Sequence, residues 1–383
     1  MPHNPPRRGV AKAREVMPAK GLIKLVLMLL FAGISFGVAG IVCITVMHLL
    51  SLVSIGQDSA SSHGISILES SRLGGLSIFL IVIFYTAALI VFMDLTLSDV
   101  VGGPRFNAGI VIVMCSFLGL AEDIKNDFLT PMLRLGLKFL ILGAFFWSSP
   151  GFMPEELGIF GLDRLLAIPV LAWILTTIFC VGFINAINMA DGANGLVSGI
   201  GAVTFFIFFT EYAGPLSAIL MFACSIFLIL NVVSGRFFLG DMGSYGIGAT
   251  IAILGLYAVA QGKMSPAFMS ALLAYPCLDF LTSLTRRLLQ GRSPFSPDND
   301  HLHNRLHFQI KKILGDGVLS NSITGLLISG GSAGLVLIAY IGQWWPITSD
   351  NWFWLFIVEC VLYLGAFKLS GRSKFAPQHS GPL

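Results

Sequence analysis

The feature that most constrains this chain is the recurrence of long apolar runs. A helix needs about 20 mostly apolar residues to cross about 30 Å of hydrocarbon. Runs of that kind occur at 21–48, 75–96, 107–121, 133–148, 165–184, 196–212, 215–233, 245–261, 265–285, 322–343 and 352–369. Eleven spans are expected, with ten as the nearest alternative. Charged residues make up only 11% of the chain and apolar residues 55%, whereas soluble domains carry roughly 25% charged residues. Backbone groups in lipid must be satisfied within the segment, so the expected fold is an all-α integral membrane bundle of about 10–11 transmembrane helices. The 42 glycines suit helices that pack closely. The first run is too long for a signal-peptide core, and no small-residue cleavage site ends it.

The expected organisation is a single transmembrane domain over 21–369, between a Pro-, Arg- and Lys-rich segment at 1–20 and a tail at 370–383. Both ends read as disordered. The six cysteines all lie in apolar runs without a Cys-x-x-Cys pair, and read as small buried hydrophobes. A net charge of +3 is too small to suggest nucleic acid. Its distribution says more. Loops near 51–74, 122–132, 185–195, 234–244 and 286–321 carry most of the cations, among them Arg72, Lys125, Arg236, Arg286, Arg292 and Lys311. The alternate loops carry Arg105, Arg164 and Lys263. The positive-inside rule puts the first set and the C-terminus in the cytoplasm. The basic N-terminus (Arg7, Arg8, Lys12, Arg14) opposes this, because an odd number of spans sends it to the far side.

Four of these loops hold the unusual polar residues. Glu122-Asp123 closes the third run and suits Mg²⁺ or a proton, although a solvated helix end accounts for it too. In Asn185-Ala-Ile-Asn188-Met-Ala-Asp191-Gly-Ala-Asn194-Gly195, Asn188 and Asp191 lie one helical turn apart before two glycines, in reach of a hard cation or a ligand. A polar turn is the plain alternative. In Phe238-Leu-Gly240-Asp241-Met-Gly243-Ser244, Asp241 opens a helix whose first amides (Gly243, Ser244) suit phosphate, and Asp241 could hold a metal against it. A helix cap explains Asp241 but not both glycines. Finally, His301-Leu-His303-Asn304-Arg305 sets histidines beside arginines, which suits a pyrophosphate or a metal. Zinc is disfavoured because one loop would supply every ligand and no cysteine is near. Inside the apolar runs, Asp279 and Glu359 are costly in lipid and should face the protein interior.

In this order the motifs resemble the polyprenyl-phosphate N-acetylhexosamine-1-phosphate transferases, a family that also includes the phospho-N-acetylmuramoyl-pentapeptide transferase of peptidoglycan synthesis. The resemblance runs from Arg72-Leu-Gly-Gly75 to His307. Three departures stand out: Glu122 for the first aspartate of a pair, Asn194 for a second aspartate, and Asn304 for a last histidine. They set the chain apart from the muramoyl-pentapeptide branch and towards bacterial branches that start O-antigen-like surface polysaccharides.

The resemblance implies the following. An enzyme of the bacterial inner membrane transfers a sugar-1-phosphate, N-acetylhexosamine-1-phosphate by expectation, from a UDP-sugar to undecaprenyl or another polyprenyl phosphate. The products are the polyprenyl-diphosphate-sugar and UMP. Asp241 and Asn188 would bind Mg²⁺, with Mn²⁺ as the alternative ion. Glu122, Asp123, Asp241, His301 and His303 would be catalytic, with Asp123 serving the lipid phosphate as base or orienter. Arg72, Asn185, Asn188, Asp191, Asn194 and Arg305 would bind substrate. The active site and C-terminus would be cytoplasmic, and a homodimer is compatible with this. A secondary transporter is the reading from another class, but the polar groups here gather at one end of the spans rather than at midplane.

Overall fold

The computed structural model describes residues 19–52, 57–58, 70–101, 106–125, 128–212, 214–293 and 298–371. Nearly all of the two ends expected to be disordered lies outside these residues, as do Arg105, Asn126 and Asp127. The fold is all-α: α1 (Ala19–Ser51), α2 (Gly74–Met93), α3 (Leu97–Val101), α4 (Phe106–Ile124), α5 (Pro131–Ser148), α6 (Phe160–Leu166), α7 (Pro169–Ala190), α8 (Leu196–Tyr212), α9 (Pro215–Ser234), α10 (Gly240–Ala260), α11 (Pro266–Leu272), α12 (Ala274–Leu289), α13 (Leu302–Leu314), α14 (Val318–Gly331), α15 (Ala333–Ile341) and α16 (Trp352–Leu369). Among the described residues the one β-sheet is a two-residue antiparallel pairing of 57–58 with 70–71. Local chemistry sets the starts. Pro131, Pro169, Pro215 and Pro266 open their helices, where a missing N–H costs nothing. Thr130 and Ser265 accept from the amides of Leu133 and Phe268 as side-chain caps.

Each expected apolar run is helical. Among the described residues, seven helices are long and apolar enough to cross a membrane alone, and two bent pairs raise the number to as many as nine: α11–α12, bent by 77°, and α14–α15, bent by 44°. The two remaining runs fall short for physical reasons. Helix α1 breaks at Gly37 (φ 63°, ψ −154°), and α8 has 17 residues, about 26 Å of helix. The chain is a polytopic membrane protein. All six cysteines are free.

Helix α10 is the most buried of the spanning helices and packs on α2, α4 and α7. Its approach to α4 is backbone to backbone: a methyl group on Gly119 would come within 2.3 Å of the Asp241 carbonyl oxygen. The segment before α2 runs alongside the segment before α10. The Ser71 amide donates to the Arg236 carbonyl (3.0 Å), Phe238 to Ser71 (2.8 Å), Gly74 to Phe238 (2.9 Å) and Gly75 to Leu239 (2.7 Å). Gly240 closes this ladder at φ +71°, with the Arg72 carbonyl filling the space a side chain would need. The ends of α4 and α7 and the starts of α2, α5 and α10 therefore meet at one end of the bundle.

Candidate active site

Asp123, at the end of α4, is 1% exposed. Its Oδ1 accepts from the Asp241 amide and its Oδ2 from the Met242 amide, both at 2.8 Å. The carboxylate thus caps α10 from another helix, satisfying two of the amides a helix start leaves open. Asp123 thus fixes the start of α10 through the Asp241 and Met242 amides, and the amides expected to suit phosphate, those of Gly243 and Ser244, are not among its partners. Glu122 is engaged as well: it accepts from the Leu129 amide (2.7 Å) and lies 3.5 Å from the Arg134 guanidinium.

Asn188, on the last turn of α7, donates to Asp241 Oδ1 (2.7 Å) and to Ser244 Oγ (2.9 Å). The other oxygen of Asp241 lies 3.7 Å from Arg134. Asp191 caps α7 and receives the Gly240 amide. Burial, then the Asp241 and Asp123 carboxylates, push its pKa well above the ordinary value, while Arg72 works against them. Three carboxylates and Arg72 thus share one end of the bundle.

Asn194 is fully buried and fully used. Its amide donates to Asn321 Oδ1 (2.8 Å), its side chain donates to Ser322 and accepts from Asn231, and the Gly195 amide donates to Asn231 Oδ1 (2.6 Å). It ties the α7–α8 turn to α9 and α14. Arg305 is also committed: it forms two 2.7 Å bonds to Asp300, donates to the Phe367 carbonyl (2.8 Å) and lies over the Phe367 ring. That clamp holds α13 to α16. Asn304, where the family has histidine, donates to the Asn299 carbonyl and keeps a buried, unpartnered Oδ1.

The two histidines stack face to face, with ring centroids 5.4 Å apart and planes 2° apart. A methyl group on Gly192 would come within 2.2 Å of His303 Nε2, so His303 abuts the Asp191–Gly192 turn. Both nitrogens of His301 and Nδ1 of His303 meet protein partners (Asp279, the Asp298 carbonyl and Tyr275).

Sequence reasoning passed over Arg134 and Lys138, both on α5. Lys138 is 1% exposed, donates to Asn185 Oδ1 (2.5 Å) and sits 4.0 Å from the centre of the Tyr245 ring. A lysine inside an apolar run is itself a signal of function. Arg134, Lys138, Asn185, Asn188 and Tyr245 line a groove of about 530 Å³ between α5, α7, α10 and α12. Its other walls are apolar (Leu135, Phe139, Val181, Phe280), and its rim residues Met132 and Ile178 are exposed. The groove thus combines apolar walls with the cations Arg134, Lys138 and Arg287.

The residues fit a magnesium ion better than a transition metal. Among the described residues no group of three His, Cys, Asp or Glu side chains is arranged to hold a metal. Asp241 and Asn188 offer a hard carboxylate and a carboxamide, and Mg²⁺ is typically held by one or two carboxylates completed by substrate phosphates and water. Asn188 turns its nitrogen to Asp241, so its oxygen joins the site only if the amide turns over.

Residues 106–259 match the family described as Glycosyl transferase family 4. The matched stretch holds Glu122-Asp123, Asn185–Gly195 and Gly240–Ser244, three of the motifs by which the chain resembles the polyprenyl-phosphate N-acetylhexosamine-1-phosphate transferases. An undecaprenyl-phosphate alpha-N-acetylglucosaminyl 1-phosphate transferase of Escherichia coli is 33% identical over 187 residues, 44% of this chain and 48% of that protein. The enzyme of the same name from Thermotoga maritima is 28% identical over 67% of this chain and 73% of its own length. A decaprenyl-phosphate N-acetylglucosaminephosphotransferase of Mycobacterium leprae is 28% identical over 63% and 67%. The chain spans about half the length of the Escherichia coli relatives it matches.

Proposed function

We propose that this protein transfers N-acetylhexosamine-1-phosphate from a UDP-sugar to undecaprenyl or a related polyprenyl phosphate, the first lipid-linked step towards a bacterial surface polysaccharide. The observation that carries the reading is the groove: largely apolar walls, with exposed Met132 and Ile178 among them, that also hold Arg134, Lys138, Asn188 and, beside Asn188, Asp241. That is the shape of a site for an amphiphile with a long hydrocarbon tail and a phosphate head. The relatives, named for undecaprenyl or decaprenyl phosphate and N-acetylglucosamine-1-phosphate, support the same substrates.

In this reading a lipid phosphate oxygen attacks the phosphorus that bears the sugar. A new P–O bond forms, the P–O bond to the nucleoside monophosphate breaks, and UMP leaves with that electron pair. The phosphate oxygen is already anionic, so no base is needed. Lys138 and Arg134 attract and orient the lipid phosphate at the end of the groove. Asp241 and Asn188 would hold Mg²⁺, which when bound neutralises charge on the diphosphate. Asp191, beside Arg72, faces the nucleotide-sugar side. The basic loops favour a cytoplasmic site in the inner membrane.

The test uses purified protein in detergent, undecaprenyl phosphate and radiolabelled UDP-sugars, with Mg²⁺ or with chelator. Labelled lipid and UMP are expected in equal amounts for one donor, and only with the metal. Folded protein that labels no lipid with any UDP-hexosamine sinks the proposal.

A further inference from the structure

The histidine loop is built on a buried carboxylate that the reaction above does not use. Asp279, on α12, is 2% exposed. Its Oδ1 accepts from the Leu302 amide and from the Tyr363 hydroxyl of α16, both at 2.9 Å, and its Oδ2 meets His301 Nδ1 at 2.7 Å. The other His301 nitrogen, Nε2, lies 3.0 Å from the carbonyl oxygen of Asp298. A carbonyl can only accept, so Nε2 carries a proton. With two donors already on Oδ1, Asp279 is the natural anion, and the remaining proton stays on Nδ1. His301 is therefore an imidazolium with no nitrogen left to offer a substrate.

His303 is the opposite. It lies flat against this cation, and its Nδ1 meets the Tyr275 hydroxyl at 3.1 Å. Its Nε2 looks onto Gly192, beside Asp191. Burial and then the His301 charge hold its pKa down at about 3.

We propose that Asp279, helped by Tyr363, is a positioning residue for the transfer: it fixes His301 as a buried cation that touches no substrate, and that cation keeps His303 neutral with its Nε2 presented at the Asp191–Gly192 turn. The functional part rests on the transferase reading; the pairing itself does not. The charged groups acting on His301 are Asp279 and Arg286 from α12 and Asp298 from the preceding loop, with His303 beside it; those acting on His303 are His301, Asp279 and His307, with Tyr275 on its Nδ1. Among them only Asp279 supplies an anion in direct contact with the ring.

Ring-¹⁵N histidine NMR of the whole protein in detergent separates the two parts. One imidazole, missing from the His301→Gln spectrum, should show both nitrogens protonated from pH 6 to pH 8. In Asp279→Asn the same imidazole should be neutral over that range, because burial lowers its pKa and the contact that opposed it is gone. A neutral His301 at pH 7 in the wild type overturns the pairing, whether or not the protein turns over. In turnover assays Asp279→Asn should lose about ten- to a hundredfold in kcat with little change in KM, and its activity should fall at a higher pH on the acid side as His303 begins to protonate. Tyr363→Phe, which keeps the ion pair, should lose only a few-fold and leave the pH profile in place. An Asp279→Asn variant that is folded and keeps the wild-type pH profile overturns the positioning role.

Discussion

Two groups of polar residues meet at Asp241 and are built on opposite plans. On the α4 side, Glu122 and Asp123 are spent on backbone amides, and across the bundle Asn194 is spent on α9 and α14. On the α5 side, Arg134, Lys138, Asn185 and Asn188 line an open groove. Both groups are polar, buried in part and at one end of the same helices. The difference is whether a side chain is tied to the backbone that builds the site or lines the groove. Asp123 holds the start of α10 in place, while Arg134, Lys138 and Asn188 face the open space.

Exchanging the two aspartates breaks the comparison most directly. Asp241→Asn should lower transfer by about 10²–10³-fold, of the order seen when one stabilising group is removed from a reacting charge, and leave stability within about 0.5 kcal/mol. Asp123→Ala should do the reverse. Two buried amides lose their acceptor at about 1–3 kcal/mol each, so folded yield should collapse. Thermal unfolding in detergent, set against turnover per folded molecule, reads both. Equal losses of stability in the two variants would abolish the distinction. Gly119→Ala belongs with Asp123: its methyl group would strike the Asp241 carbonyl, and a melting temperature unchanged from wild type would mean that α4 and α10 do not touch as described.

Lys138 sharpens the groove side. Lys138→Met should raise the KM for polyprenyl phosphate about tenfold, the effect of losing roughly 1.4 kcal/mol, with stability unchanged or higher because a buried cation is removed. A KM that rises for the nucleotide sugar alone would move Lys138 to the other substrate. Asn194→Asp tests the saturated side from the other direction. It restores the family's carboxylate at a position with no route to substrate. The expected result is a loss of about 1–3 kcal/mol and unchanged turnover per folded molecule. A gain in turnover would return residue 194 to the active site.

Much of the fold was legible in hydropathy: every long apolar run became a helix, and the motif loops came together at one end of the bundle. Hydropathy averages over a window, which is why the breaks at Gly37 and between α11 and α12 did not show. Lys138 was hidden in the same way, one cation diluted by apolar neighbours in 133–148. The residue types of the site were legible too, but not their partners. Nothing local in Glu122-Asp123 says that the acceptor capacity of Asp123 is taken by amides 118 and 119 residues away. Arg305 looked like a phosphate ligand because its partner Asp300 reads equally well as a solvated loop residue.

The smallest effect separates the stacked histidines. For His303, unfolding restores a value near 6.5 from about 3 in the fold. Its contribution to stability is present above pH 6.5 and is lost as pH falls towards 3, by about 1.4 kcal/mol per pH unit. His301 has the opposite sign: burial lowers its pKa, but the Asp279 bond and charge outweigh that and raise it. Its contribution is full below pH 6.5 and is lost as pH rises through the raised value. Melting temperature should therefore fall on both sides of neutrality, for different reasons. His303→Gln should flatten the acid limb by roughly 2 °C, with His307, also lowered by burial, supplying the slope that remains. Asp279→Asn should flatten the alkaline limb instead. If His303→Gln removes the alkaline limb, the charge sits on His303, and the division of labour between the two rings is reversed.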